Sequence, residues 1–305
     1  MVGPILALIA GTAFAVGGIF VRRGIHRGGE AYSPMAISVF SGFFVIGLWL
    51  FISGGAASLR SVSWLGLGLL ILAGGTHFLL GRWLYCIGIQ LIGANRAVPI
   101  VACSILIAAL MGVFLLGEPF TRSLIAAVSL IVTGMIMVGT ASVADIGELS
   151  MAPGALLKGV LAALGTAFCW GVSPVLLKVG LQEVGSPLLA LFIALGTAFV
   201  AVSISLSYPG NRRKLRRLTR FSLTNFLIAS IGAGVTGMML RMLALNYSPV
   251  SVVEPLIASA TNLLIFPLSL LVNRKIEAFN ARIILGAVAI AMGIFLVFYK
   301  GSVLD

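Results

Sequence analysis

Charge is what this sequence has least of. Only 9 % of its 305 residues are Asp, Glu, Lys or Arg, against about a quarter in soluble globular chains. So few polar side chains cannot cover a water-soluble body of this length. Acidic residues are scarcest, 8 against 20 basic ones, and there are two histidines and three cysteines. Cys86, Cys103 and Cys169 fall inside apolar runs. An odd, scattered set is not a disulfide framework, and buried free cysteine behaves as a small packing residue. The chain has no metal-ligand spacing and no phosphate-binding glycine loop, so we expect no enzyme, no metal and no cofactor. Without an ATP-binding motif, any work it does must draw on a gradient or on exchange.

What it has instead is apolar length. Hydrophobic residues make up 60 % and the mean hydropathy is +1.17, which points to the bilayer as solvent. The 37 glycines fit, because membrane helices pack through small residues; Ala7, Gly11 and Ala15 form such a stripe. The net charge of +12 imitates a nucleic-acid binder. Its basic residues, however, sit in short connections between apolar runs, where they act as orientation signals, so no nucleic acid is expected. The opening MVGPILALIAGTAFAVGG contains Ala13-Phe14-Ala15, which mimics a signal-peptidase site. It lacks a basic leader, and GTAF recurs at 165–168, so it reads as a mature membrane helix.

A crossing needs about 20 mostly apolar residues. Ten stretches qualify: 2–21, 34–52, 63–90, 96–116, 122–141, 156–177, 187–207, 222–246, 250–272 and 281–299. Ser33-Pro34 and Ser186-Pro187 each place a capping residue before a first-turn proline. Pro99, Pro174 and Pro255 lie inside spans and are expected to bend them. The two halves align. GTAF pairs with GTAF, Gly17 with Gly171, Ser33-Pro34 with Ser186-Pro187, Arg82-Trp83-Leu84 with Arg241-Met242-Leu243, and Pro99 with Pro255. The expected architecture is therefore an all-α integral membrane protein, with ten transmembrane helices in two five-helix repeats, 1–145 and 155–300.

Five crossings per repeat make the second copy enter from the opposite side, so the halves are inverted. Equivalent connections should then exchange charge. Arg22, Arg23 and Arg27 follow the first span, while Lys178 and Glu183 follow the sixth. Arg60 follows the second; Arg212, Arg213, Lys214, Arg216, Arg217 and Arg220 follow the seventh. Glu118 and Arg122 follow the fourth; Arg274, Lys275, Glu277 and Arg282 follow the ninth. The positive-inside rule puts the odd-numbered connections in the cytoplasm and both termini outside, in a multi-pass protein of the cell (inner) membrane.

The duplicated five-span unit, the proline-bearing fourth and ninth spans and LLGEPFTRSLIAAVSLIVTGMIMVG at 115–139 resemble the EamA branch of the drug/metabolite transporter superfamily. That resemblance implies a ten-helix carrier of small organic solutes working by alternating access. Asn273-Arg274 stands where the first repeat has Gly117-Glu118, so Glu118 is not a symmetric element.

Ionisable groups at membrane depth cost about 2.5–3.5 kcal/mol each to insert, so they face a cavity or a partner. Here they are His77, Arg82, Arg241 and Glu254. The arginines read either as cationic points that a carboxylate or phosphate meets in turn, or as snorkelling or salt-bridged side chains. Ser230, Gly234 and Gly237 share a helical face with Arg241. Glu254 is placed to pair with Arg241, as a fixed bridge or as a gate. His77 is either a packed histidine or a carrier of a coupling proton. Tyr85 lies between His77 and Arg82; Asn246 and Asn262 are polar candidates for a cavity; Trp170 is placed to stack on a substrate or to pack. These eight residues form the candidate substrate site. The expected partners are a small-molecule substrate, a coupling proton and the lipid bilayer. The expected activity is secondary transport, export or exchange, of small organic metabolites such as amino acids or other organic anions. The alternative is a flippase for a lipid-linked or amphipathic substrate on the same fold.

Overall fold

The computed structural model describes residues 2–26, 32–92, 94–119, 121–141, 153–272 and 281–301. Every regular element among them is helical. This follows from the solvent: in hydrocarbon each backbone N–H and C=O needs an internal partner, and a helix supplies it within one segment. The helices are α1 (Val2–His26), α2 (Tyr32–Ile52), α3 (Trp64–Gly74), α4 (Arg82–Ile92), α5 (Ala94–Leu116), α6 (Arg122–Ala141), α7 (Pro153–Val184), α8 (Pro187–Ser205), α9 (Pro209–Arg216), α10 (Arg220–Leu227), α11 (Thr236–Tyr247), α12 (Val250–Val272) and α13 (Ala281–Gly301). A π-helical segment, Gly75–Gly81, joins α3 to α4, and a second, Ile228–Val235, joins α10 to α11.

Among the described residues, six stretches are long and apolar enough to cross a membrane: Val2–Ile25, Tyr32–Ile52, Trp64–Ile89, Leu156–Val184, Pro187–Ser205 and Arg220–Tyr247. Four shorter apolar helices accompany them: Ile100–Leu116, Arg122–Met137, Val250–Leu264 and Ile284–Val297. Large apolar side chains stand outward, among them Phe44, Leu48, Leu161, Phe168, Leu285 and Phe295. In water such a surface would aggregate; against acyl chains it is at rest.

The packing interlocks the two halves. α1 lies against α10, the second π segment, α11 and α12, while α7 lies against α3, the first π segment, α4 and α5. α2 pairs with α8, where Phe43 stacks between Phe192 and Phe199 at 4.9 and 4.3 Å, and α6 pairs with α13. The repeated GTAF has its reason here. A side chain at Gly11 would strike the Ile257 carbonyl and Ala260 of α12. One at Gly165 would strike Leu84 of α4. Each copy lies inside a helix that wedges between helices of the other half.

The ends of the bundle are tied as well. Ser222 Oγ donates to the Gly24 carbonyl at 2.8 Å, Tyr32 and Ser205 hydroxyls bond at 2.6 Å, and Lys214 Nζ lies 5.8 Å from the Tyr32 ring centroid. At the other end Ser63 Oγ donates to Glu183 at 2.7 Å, and Gly3 abuts Ser248.

Four details depart from the sequence reading. Ser33 does not cap α2: the helix begins at Tyr32, pinned by its hydroxyl to Ser205, which draws the buried Ser33 into the first turn with no partner for Oγ. Ser186 does cap α8, accepting from Leu189 N at 3.4 Å. Lys178 and Glu183 lie not in a connection but in α7, which runs through Pro174 to Val184 and ends at Gly185, φ +70°. The stretch around 212 holds a short helix, α9. Asn273 and Arg274 lie outside the described residues.

Candidate functional site

The site starts from the two π segments. A π turn carries more residues than an α turn, so it rotates the side chains that follow and leaves carbonyls poorly bonded. In the first segment the Thr76 hydroxyl donates to the Leu72 and Ala73 carbonyls at 2.8 and 3.2 Å. Gly74 lets α3 touch the Ala194 backbone of α8. In the second, Ser230 turns to α2, bonding the Ser41 hydroxyl and the Ser38 carbonyl. The single face expected for Ser230, Gly234, Gly237 and Arg241 is therefore broken: Gly237 meets Phe14 of α1, and Arg241 reaches α12 and the first π segment.

Arg241 is 3 % exposed. Its Nε donates to Glu254 Oε1 at 2.8 Å, a buried ion pair. Its Nη1 lies 3.3 Å from His77 Nε2, and His77 Nδ1 lies 2.8 Å from Ser173 Oγ. A guanidinium has donors only, so Nε2 must accept. The His77 proton is thereby assigned to Nδ1 and points at Ser173, whose hydroxyl can in turn donate to the Trp170 carbonyl at 3.4 Å. Trp170 Nε1 donates back to the His77 carbonyl at 3.1 Å. The imidazole is held neutral by this network, because a second N–H would face Arg241. One directed chain, Glu254–Arg241–His77–Ser173, thus runs from α12 through α11 and the first π segment to α7.

Five of the eight residues singled out in the sequence meet here: His77, Arg241, Glu254, Trp170 and Tyr85, whose ring lies 5.1 Å from that of Trp170. Arg82 flanks them. It begins α4 directly after Gly81, where a side chain would strike the Trp170 ring at 2.7 Å, and it lies within electrostatic reach of His77 and Cys86. No hydrogen bond or ion pair holds it among the described residues. Asn246 is exposed at the end of α11, away from the cluster. Asn262 Nδ2 donates to the Ala258 carbonyl of its own helix at 2.8 Å. The expected equivalence of the arginines does not extend to their register. Arg82 is the first residue after its π segment, whereas Arg241 lies well beyond Val235, in the second turn of α11.

Two participants had been missed. Ser173 gave no signal; serines are common in apolar spans. Glu118 gave one, the LLGE motif, whose role is now explicit. Gly117, at φ +66°, ends α5 in the left-handed conformation. Gly112 leaves room for the returning carboxylate, since a side chain there would strike Glu118 Oε2. Glu118 then accepts from Val250 N at 2.6 Å and Ser251 N at 2.8 Å, capping α12. Lys178 bridges to it at 3.4 Å and to the Ser248 carbonyl at 2.9 Å. Glu254 stands one turn further along α12.

Chemically, the cluster can bind an anion through a guanidinium, stack a planar group on Trp170 and Tyr85, and carry a proton on a histidine or a carboxylate. The EamA-like transporter family matches twice, over residues 1–140 and 157–299. A solved crystal structure is similar in fold, with a TM-score of 0.77 over 98 % of this chain and 96 % of its own, at 16 % identity. No curated protein sequence matches. A duplicated match over most of the length, on an all-helical apolar fold, makes this chain a membrane transporter of the EamA-like family.

Proposed function

We propose that this chain is a secondary transporter of small organic metabolites, amino acids or other organic anions among them, working by alternating access between two inverted five-helix halves. The observation that carries the reading is the buried Glu254–Arg241–His77–Ser173 chain. His77 belongs to one half and its three partners to the other. Any rocking of one half against the other must break the bonds at His77, so a ligand that competes for Arg241 acts on the hinge of the movement. The reciprocal wedging of α1 and α7, and the sharing of one bundle end by the α1 terminus and the start of α10, support inversion and ten crossings. Basic residues cluster at that end, which the positive-inside rule assigns to the cytoplasm; both termini then face outward. His77 and Glu254 are the candidate carriers of a coupling proton.

Reconstitution tests the proposal. Proteoliposomes should move members of a metabolite panel under a proton, sodium or counter-substrate gradient, and Arg241→Gln should abolish that movement. Absence of transport in every gradient would overturn it. Reporter fusions at 22–27 and 212–220 should fall on the same face of the membrane.

A further inference from the structure

The cluster does not balance its charge. Arg241 is matched by Glu254 at 2.8 Å. His77 is neutral, because its Nε2 accepts from Arg241. Arg82 remains, half-buried, with no counter-charge among the described residues, and the titratable groups that follow it on its helix are Tyr85 and Cys86. The other groups around this wall are neutral as well: Ser173 and Trp170 from α7, Tyr85 from α4 itself. Two guanidiniums against one carboxylate leave one positive charge in a region where unmatched charge is costly.

We propose that Arg82 anchors a ligand subsite for a monoanion with a flat apolar body, a monocarboxylate in chemical class. A single negative charge neutralises the cluster; a dianion would overshoot it, and a neutral solute would leave it charged. A carboxylate suits the guanidinium fork. An aromatic wall stands one turn from Arg82, where the half-buried Tyr85 ring lies 5.1 Å from that of Trp170. This deepens the transporter reading and rests on it.

The test is thermal melting of the purified full-length chain with three probes of one shape: benzoate, benzamide and phthalate. A ligand that binds the folded state raises the melting temperature by mass action. Benzoate should do so in a dose-dependent way, phthalate more weakly, and benzamide not at all. Arg82→Gln should require at least about tenfold more benzoate for the same shift, the loss of one charge-assisted contact, and Arg82→Lys should restore part of it. The benzoate–benzamide comparison in the unmodified chain needs no variant to fold. No benzoate shift, equal shifts with benzamide, or unchanged benzoate binding in Arg82→Gln would each overturn the subsite and make Arg82 a snorkelling side chain. The two readings fail separately. Solute movement that ignores Arg82 removes the subsite and leaves the transporter. Arg82-dependent benzoate binding without movement of any solute does the reverse.

Discussion

The third helical unit of each half is built alike and used differently. In both, an α-helix passes through a π segment into a second α-helix that carries an arginine. Arg241 is clamped by Glu254; Arg82 is not clamped among the described residues. The cause lies in the neighbouring helix. Glu254 precedes Pro255, whereas Val98 precedes the corresponding Pro99. The same backbone plan occurs twice, and the carboxylate beside the proline, present in the second half alone, pairs with Arg241. The π segments made room for that divergence, because they set the side chains beyond them in different registers.

The comparison breaks most sharply at the ion pair. Glu254→Gln leaves Arg241 buried without a counter-charge, which costs about 3–5 kcal/mol when a buried pair loses one partner. Chemical or thermal unfolding of the variant should show that loss, and removing Arg241 in the same chain should recover part of it. A Glu254→Gln protein as stable as its parent would mean that both arginines are equally free.

A second contrast sets the two GTAF glycines against each other. The Cβ of Gly11→Ala meets the Ile257 backbone of α12, which can yield only if the helix moves. The Cβ of Gly165→Ala meets Leu84 Cδ1 at 2.9 Å, the end of a flexible side chain. Overpacking costs about 1–3 kcal/mol, and Gly11→Ala should fall at the upper end while Gly165→Ala stays below about 1. Matching melting temperatures would show that α1 and α7 wedge equally tightly.

A buried acidic cap and an exposed carboxylate give a third. Glu118 is buried and holds the first N–H groups of α12 together with Lys178; Glu183 is an exposed acceptor for Ser63. Glu118→Ala should cost more than a lost cap, about 1–2 kcal/mol, because Lys178 also loses its counter-charge, and Glu183→Ala should stay within about 0.5. Hydrogen exchange should locate the Glu118→Ala loss in the first turns of α12.

Much of this was readable before any coordinates. Low charge and long apolar runs fixed the solvent, and the all-helical fold followed. The Arg241–Glu254 pair was visible because two scarce charges stood near one end of consecutive spans. What failed was local. Lys178 reads as a helix end because charge usually marks one in membranes, but Glu118 pairs with it and α7 continues past it. Shared faces drawn with a 3.6-residue period failed at Ser230, since a π segment shifts that period and no residue pattern announces it. Ser173 was silent because its importance comes from His77, a contact across 96 residues. Glu118 was marked by its motif but not explained, since the helix it caps begins 132 residues later.

The smallest expected effect is the most diagnostic. Arg82→Gln removes an arginine from the helix beyond a π segment, as Arg241→Gln does, but it orphans no carboxylate among the described residues. Taking an unmatched charge out of the membrane removes a cost, so the unliganded protein should be as stable as its parent or more stable, with Arg82→Met behaving alike. An arginine that supports the fold would give losses comparable to those at Arg241. No loss here, beside a large loss at Arg241, is the signature of a charge kept in the membrane for something other than stability. If both variants melt alike, the divergence between the halves is one of sequence only, and the two arginines serve a single structural purpose.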